Sequence, residues 1–357
     1  MKQILCLSNE PWSSSPGRTQ QLISRLKGAQ ILYFAPSTEQ NDRSGPKGRR
    51  VRPNITAYRL PTLLLPPEER YGPLFRLGRR RLGRFIADRA ARHRFQAPLL
   101  WTTSPEQVHL LDYLDYGGLV YDCDREWDDF PPVWEGSLAS AADVVFAASP
   151  VLCDRLAPCS ANIALLPNGV NFPLFSTAIP QPPQGHGPVL GWVGTLWEDL
   201  DLSPLLFAAR ARPDWTFLLV GRQENNPFLP RLRRLGNVVL PGAFPLSDLP
   251  SWLYRCDILL NFLRDNRPYE DVISSRLYEY LSTGKPVVAM TWPDQVEHFP
   301  DVVYAAHDEQ EFLTLCQHAL VEAPGFVSQR RRSHAASATW PIRAEVVERI
   351  LSTSGLL

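Results

Sequence analysis

Ser275-Arg276-Leu277-Tyr278-Glu279-Tyr280-Leu281-Ser282-Thr283-Gly284-Lys285-Pro286-Val287-Val288 reads as a short helix, a glycine stop and a strand. The helix covers about Ser275–Ser282 and the strand about Pro286–Ala289. Gly284, just past the helix, suits a left-handed C-cap, because a residue without Cβ takes positive φ at little cost. Working back from this segment, strands alternate with helices: strand Val189–Val193, helix about Ser203–Arg210, strands Thr216–Val220 and Asn237–Leu240, helix about Leu246–Arg255 and strand Ile258–Asn261. Alternation of this kind implies a parallel sheet with helices on both faces.

Further back the composition changes. Residues 173–188 hold Pro173, Pro180, Pro182, Pro183, Gly185, Gly187 and Pro188 without periodicity, as expected of a linker. Before it a second alternation begins with strand 3–8, the Ser/Pro/Gly loop Asn9–Thr19, a helical pattern from Gln20 to Leu26 and strand Gln30–Ala35. This is a βαβ unit. Strands follow at Leu99–Thr102, Gly118–Tyr121, Val144–Ala148 and Ile163–Pro167, and Trp340–Leu351 reads as a closing helix. The fold class is therefore α/β, with two Rossmann-like doubly wound domains: 1–172, a linker at 173–188, and 189–335, with 336–357 a C-terminal helix placed to return to the first domain. Open parallel sheets bind ligands at the carboxyl ends of their strands, where strand order reverses. Two such domains are expected to face each other across a ligand cleft.

A length of 357 residues suits two domains, and 44% apolar with 21% charged residues is ordinary for a globular chain. Lys plus Arg equal Asp plus Glu at 37 each, so overall charge does not point to a nucleic-acid partner. The segment 70–95 departs from this balance, with nine arginines against one acid, Asp88. Arg76, Arg79, Arg80, Arg81 and Arg84 interleave there with Phe75, Leu77, Leu82, Phe85 and Ile86. One reading is a basic amphipathic helix lying on an anionic membrane; the other is a solvated helix face. RNA binding is weaker, because no recognisable module accompanies the charge. The apolar run after Met1 is too short for a signal-peptide core, and no stretch reaches the ~20 apolar residues of a spanning helix. Six scattered cysteines without a CxxC pair are expected to be reduced thiols, which places the protein in the cytoplasm, at the inner face of the membrane if the basic segment binds lipid.

Three segments together carry a resemblance: Leu165-Leu166-Pro167-Asn168-Gly169-Val170-Asn171, Gly191-Trp192-Val193-Gly194, and the Ser275–Val288 stretch. They closely resemble the GT-B glycosyltransferases of family 4. Tyr121-Asp122-Cys123-Asp124-Arg125-Glu126-Trp127 and Arg18-Thr19-Gln20-Gln21-Leu22 look like the subgroup that contains the teichuronic-acid biosynthesis transferases. The resemblance implies a transferase that takes a UDP- or GDP-sugar as substrate, uses no cofactor or metal, retains anomeric configuration, and acts on a polysaccharide- or lipid-linked acceptor. Glu279 would accept hydrogen bonds from the donor ribose, since a carboxylate only accepts. Arg276 would meet the diphosphate, helped by backbone N–H groups of Ile273, Ser274 and Ser275 at the helix start.

The family's second carboxylate falls eight positions earlier, on Asp271, one methylene shorter than the usual Glu; Glu270 stands beside it as a substitute. The usual Arg and Lys after the first strand of the second domain are absent from Gly194-Thr195-Leu196-Trp197-Glu198-Asp199. Arg222, Arg264 and Arg267 are the candidate replacements. Gly194 would let the donor approach the backbone, and Phe244 falls where the family packs the base. In the first domain, His109 and Asp122 are candidates for catalytic or acceptor contact, and Trp12 and Arg18 for the acceptor side. Two rival readings share the architecture: a nucleotide-sugar epimerase, and an inactive scaffold or sugar-binding protein that keeps the fold.

Overall fold

The computed structural model describes residues 2–13, 15–36, 47–61, 72–177, 187–262, 272–290, 299, 301–323 and 325–357. It divides into two compact units, Met1–Pro167 with Pro341–Leu357, and Asn168–Trp340.

The first unit is built on an eight-stranded sheet of β1 (Lys2–Leu7), β2 (Ala29–Ala35), β3 (Arg49–Arg52), β4 (Ile55–Arg59), β5 (Leu99–Thr102), β6 (Gly118–Cys123), β7 (Val144–Ala147) and β8 (Ile163–Leu165). Their spatial order is β3-β4-β2-β1-β5-β6-β7-β8. All neighbours run parallel except β3, which lies antiparallel on β4. β5, β6 and β7 are buried along their whole length, as strands covered on both faces must be; this is why they read as unbroken apolar runs. The edge strand β3 is Arg-Arg-Val-Arg and mostly exposed, a charged edge that discourages further pairing. With Val51 its one apolar residue, β3 also escaped the sequence reading. The helices of this unit are α1 (Arg18–Ile23), α2 (Pro73–Arg92), α3 (Pro132–Ala141) and α4 (Pro150–Leu156), with a 3-10 stretch at Pro105–Tyr113.

The second unit opens with the short helix α5 (Phe172–Ser176). Part of the stretch expected as linker is thus helical, because Phe175 is fully buried in the core of this unit; the remainder at 178–186 lies outside the described residues. The sheet contains β9 (Val189–Val193), β10 (Thr216–Val220), β11 (Val238–Gly242), β12 (Ile258–Asn261), β13 (Val287–Met290) and β14 (Tyr304–Ala306), ordered β11-β10-β9-β12-β13-β14. All pairs are parallel. Side chains alternate between two cores with period two. Leu190, Trp192, Phe217, Leu219 and Leu260 enter one; Val189, Val193, Leu218, Val220 and Leu259 enter the other. The helices are α6 (Ser203–Ala211), α7 (Leu229–Leu232), α8 (Leu249–Tyr254), α9 (Ser275–Thr283), α10 (Glu309–Leu320) and α11 (Phe326–Ser337). α12 (Trp340–Thr353) carries the chain back into the first unit. Strand order reverses between β1 and β5 in one sheet and between β9 and β12 in the other, so the carboxyl end of β9, Val193-Gly194, marks the place to look for a ligand.

Candidate functional site

Helix α9 packs against this reversal point through Tyr280, and its ends are set locally. Ser274 is its N-cap, with extended backbone and a hydroxyl that accepts from the Leu277 N–H at 3.3 Å. Gly284 closes it in the left-handed conformation at φ 77°. Leu277, Tyr278, Tyr280 and Leu281 are buried, leaving Arg276 and Glu279 on the remaining face, where they form an (i, i+3) ion pair. Burial raises the Glu279 carboxyl above the ordinary carboxylate range, and the Arg276 guanidinium offsets part of that rise. The donor-contact residues expected from sequence are therefore adjacent, and in this state each satisfies the other.

Two further contacts hold the helix in place. The Asn168 side-chain amide donates to the Ile273 carbonyl at 3.0 Å, which joins the Pro167-Asn168-Gly169 motif to the residues just before α9. The Tyr280 hydroxyl accepts from the Val193 N–H at 2.9 Å and donates to the Val193 carbonyl at 3.3 Å. Tyr280 thus ties α9 to the last residue of β9. Tyr280 was overlooked as a site residue in the sequence; its tyrosine at a core helix position, a polar tip that must find a partner when buried, was the available signal.

Gly194 donates to the Val220 carbonyl at 2.9 Å, and a side chain there would press on the Trp192 ring at 3.0 Å. The tighter requirement sits on Gly221, where a Cβ would lie 1.7 Å from the Gly194 oxygen. Two glycines therefore let the ends of β9 and β10 cross closely, and Gly221 was the one the sequence reading passed over. Arg222 pairs with Glu224 at 3.0 Å and lies 5.6 Å from the centre of the Trp197 ring; it remains largely exposed, at 64%. Phe244 is half-buried against Trp252, ring centres 4.6 Å apart. Lys285, in the same motif as α9, donates to the carbonyls of Tyr254 and Cys256 and so fastens the end of α8. Asp271, Glu270, Arg264 and Arg267 lie outside the described residues.

In the first unit, Arg18 and Asp122 form a buried pair: Arg18 Nε donates to Asp122 Oδ1 at 2.9 Å, and the two residues are 7% and 1% exposed. Burial raises the Asp122 carboxyl, against the lowering effect of Arg18. Asp122 and Arg18 were expected in separate roles; the fold gives them to each other. His109 is edge-on to Trp134 at 4.5 Å and to Phe75 at 5.0 Å. Burial and then the Arg79 cation hold its pKa below 6.5. Trp12 stands edge-on to Tyr33 at 5.2 Å. All six cysteines are free thiols, and among the described residues no three His, Cys, Asp or Glu side chains gather as a metal cage would require.

Residues 187–321 match the family model described as Glycosyl transferases group 1. A curated relative, the Bacillus subtilis (strain 168) protein named as the teichuronic acid biosynthesis glycosyltransferase TuaH, is 24% identical over 271 residues, 68% of each chain. Among solved structures, sucrose-phosphate synthase from Thermosynechococcus elongatus superposes with a TM-score of 0.78 at 17% identity over 99% of both chains. Anabaena HepE in complex with UDP and glucose gives 0.71 at 15% identity, covering 99% of this chain and 100% of that one. Residues 187–321, which carry Arg276 and Glu279, thus match a glycosyltransferase family, the likeness to TuaH supports the same class of enzyme, and the superpositions show that the chain has the GT-B fold.

Proposed function

We propose that the second unit holds a nucleoside diphosphate sugar, with UDP the first candidate, and that the sugar passes to a polysaccharide- or lipid-linked acceptor recognised by the first unit. The reading rests on one observation: Arg276 and Glu279 share a partly buried face of α9, which Tyr280 ties to Val193 at the sheet's reversal point, while Asn168 holds the residue before it. A leaving diphosphate gathers negative charge, and cations or amide dipoles already in position stabilise it without reorganisation. Arg276 and the N–H groups at the start of α9 supply these. Glu279 gives up part of its pairing with Arg276 to accept the ribose hydroxyls, and donor binding returns to the carboxylate the hydrogen bonds its burial demands. HepE, solved with UDP and glucose, supports UDP as the nucleotide. Metal independence and retention of configuration belong to the same proposal. Full activity in EDTA and an α-configured product from an α-linked donor, read by NMR, are the expected results.

The deciding experiment is donor kinetics on Glu279→Ala and Arg276→Ala. Hydrogen bonds to a charged group are worth about 1.5–3 kcal/mol, so kcat/KM should fall by roughly 10- to 150-fold. Transfer by Glu279→Ala within about threefold of wild type rejects the assignment.

A peripheral membrane contact is the second part of the proposal. Helix α2 exposes Leu74 at 49% and Leu77 at 52%, with Arg76, Arg80, Arg81 and Arg84 also exposed. Apolar side chains open to solvent beside a run of cations suit an anionic lipid surface, where a lipid-linked acceptor would be found.

A further inference from the structure

The first unit contains a cavity of about 310 Å³ at the carboxyl ends of β2 and β4. Register builds it. β2 and β4 pair Tyr33 with Ala57 and Ala35 with Arg59, while β3 and β4 pair Arg49 with Ala57. Paired residues project from the same face of a sheet, so Tyr33, Ala35, Arg49, Ala57 and Arg59 all stand on one side. The two alanines form a low floor between larger neighbours. Tyr33 spends its hydroxyl on Ser8 Oγ and the Glu10 carbonyl, which leaves its ring as an apolar wall, and Trp12 stands edge-on to that ring. The rim is cationic. Lys47, Arg49 and Arg59 line it, with no carboxylate among the described lining residues. Lys47 and Arg49 are exposed. Glu10, next in sequence to the lining residue Pro11, turns its carboxylate to Gly17 instead.

An aromatic-walled hollow with charged groups at its edge can hold a small ligand, and this volume lies at the low end of the roughly 300–1,000 Å³ such sites occupy. It suits one sugar unit, whose C–H face rests on the rings. A guanidinium beside it meets a carboxylate or phosphate with two parallel hydrogen bonds. We infer that this cavity binds a single acidic sugar residue of the acceptor, with its anionic group on Arg49 and Lys47. The inference deepens the transfer reading above and rests on it for the identity of the ligand as acceptor.

The test is calorimetric titration of the full chain with glucuronate, glucose 6-phosphate and glucose, each with and without saturating UDP. At least one acidic sugar should bind ten times or more tighter than glucose; which of the two does so tells carboxylate from phosphate. The double variant Lys47→Gln/Arg49→Gln should reduce the acidic sugars to the level of glucose. Ala57→Leu, which fills the floor and keeps every charge, should weaken the acidic sugars by the same measure. Glucose binding as tightly as both acidic sugars overturns the inference, as does an unchanged preference in both variants. UDP is read separately: if it fails to bind while the acidic sugar still does, the donor assignment falls and the cavity stands. If UDP binds and the sugars show no preference, only the cavity falls.

Discussion

Single side chains here answer to their neighbours more than to their type. Arg276 and Glu279 were legible as donor contacts because their spacing on one helix is local; their mutual pairing follows from the same (i, i+3) geometry. Asp122 was legible as a carboxylate near the end of a strand, but its burial under Arg18, 104 residues away, was not. Tyr280 carries a prediction of its own. Its hydroxyl is the acceptor for the Val193 N–H, so Tyr280→Phe leaves a buried donor unsatisfied at a cost of about 1–3 kcal/mol. Chemical denaturation should show that loss, together with weaker nucleotide binding at the end of β9; a variant as stable as wild type removes Tyr280 from its positioning role. His109 gives a pH dependence. Its folded pKa lies below the ordinary 6.5 because burial and Arg79 disfavour the charged ring. The unfolded chain therefore binds the proton more readily, and the stability contributed above pH 6.5 is lost as pH falls through the lowered folded value. Wild type should lose stability relative to His109→Phe between about pH 7 and pH 5, and a difference that stays flat over that range refutes the lowered pKa of this half-buried ring.

At the scale of elements, periodicity located most strands within a residue or two, since a buried parallel strand is an apolar run and little else. It missed the β3–β4 pair, whose residues Arg49–Arg52 look like loop, the edge strand β14, and the helices α3, α5, α7, α10 and α11. Helix α2 shows the limit most clearly. The sequence presents Arg76, Arg79, Arg80, Arg81 and Arg84 alike, yet Arg79 turns inward to Glu106 at 2.7 Å and lies over the Phe75 ring at 4.8 Å. The outward face keeps the other four with Leu74 and Leu77. A basic residue near an anionic bilayer contributes roughly 1 kcal/mol, so Arg76→Glu/Arg80→Glu/Arg81→Glu/Arg84→Glu should abolish co-sedimentation with phosphatidylserine vesicles and leave neutral vesicles unaffected. Unchanged co-sedimentation removes the membrane from the proposal.

For the whole molecule, the chain's path matters as much as its elements. The first unit is completed by residues 341–357, where Ala344, Val347 and Leu351 are buried and Glu348 accepts from the Lys27 N–H. Burying a side chain such as Val347 or Leu351 stabilises by about 1.5–3 kcal/mol. Truncation after Trp340 should accordingly destabilise the first unit by several kcal/mol. Hydrogen exchange should rise across β1, β2 and β5 and much less across β9 and β10. Uniform protection in the truncated chain would show that α12 is dispensable.

The sequence by itself determined that there are two largely parallel α/β sheets, where most of their strands run, and that one short helix carries an arginine and a glutamate three residues apart. These follow from patterns a few residues long, set by backbone hydrogen bonding and the burial of alternate or successive side chains. Only the tertiary structure decided that Asp122 belongs to Arg18, that Tyr280 reaches Val193 across 87 residues, that Gly221 must be bare to pass Gly194, and that Arg49 meets Ala57 above a hollow. Those outcomes depend on which distant segments share a register or a face, and short-range periodicity carries no record of that choice.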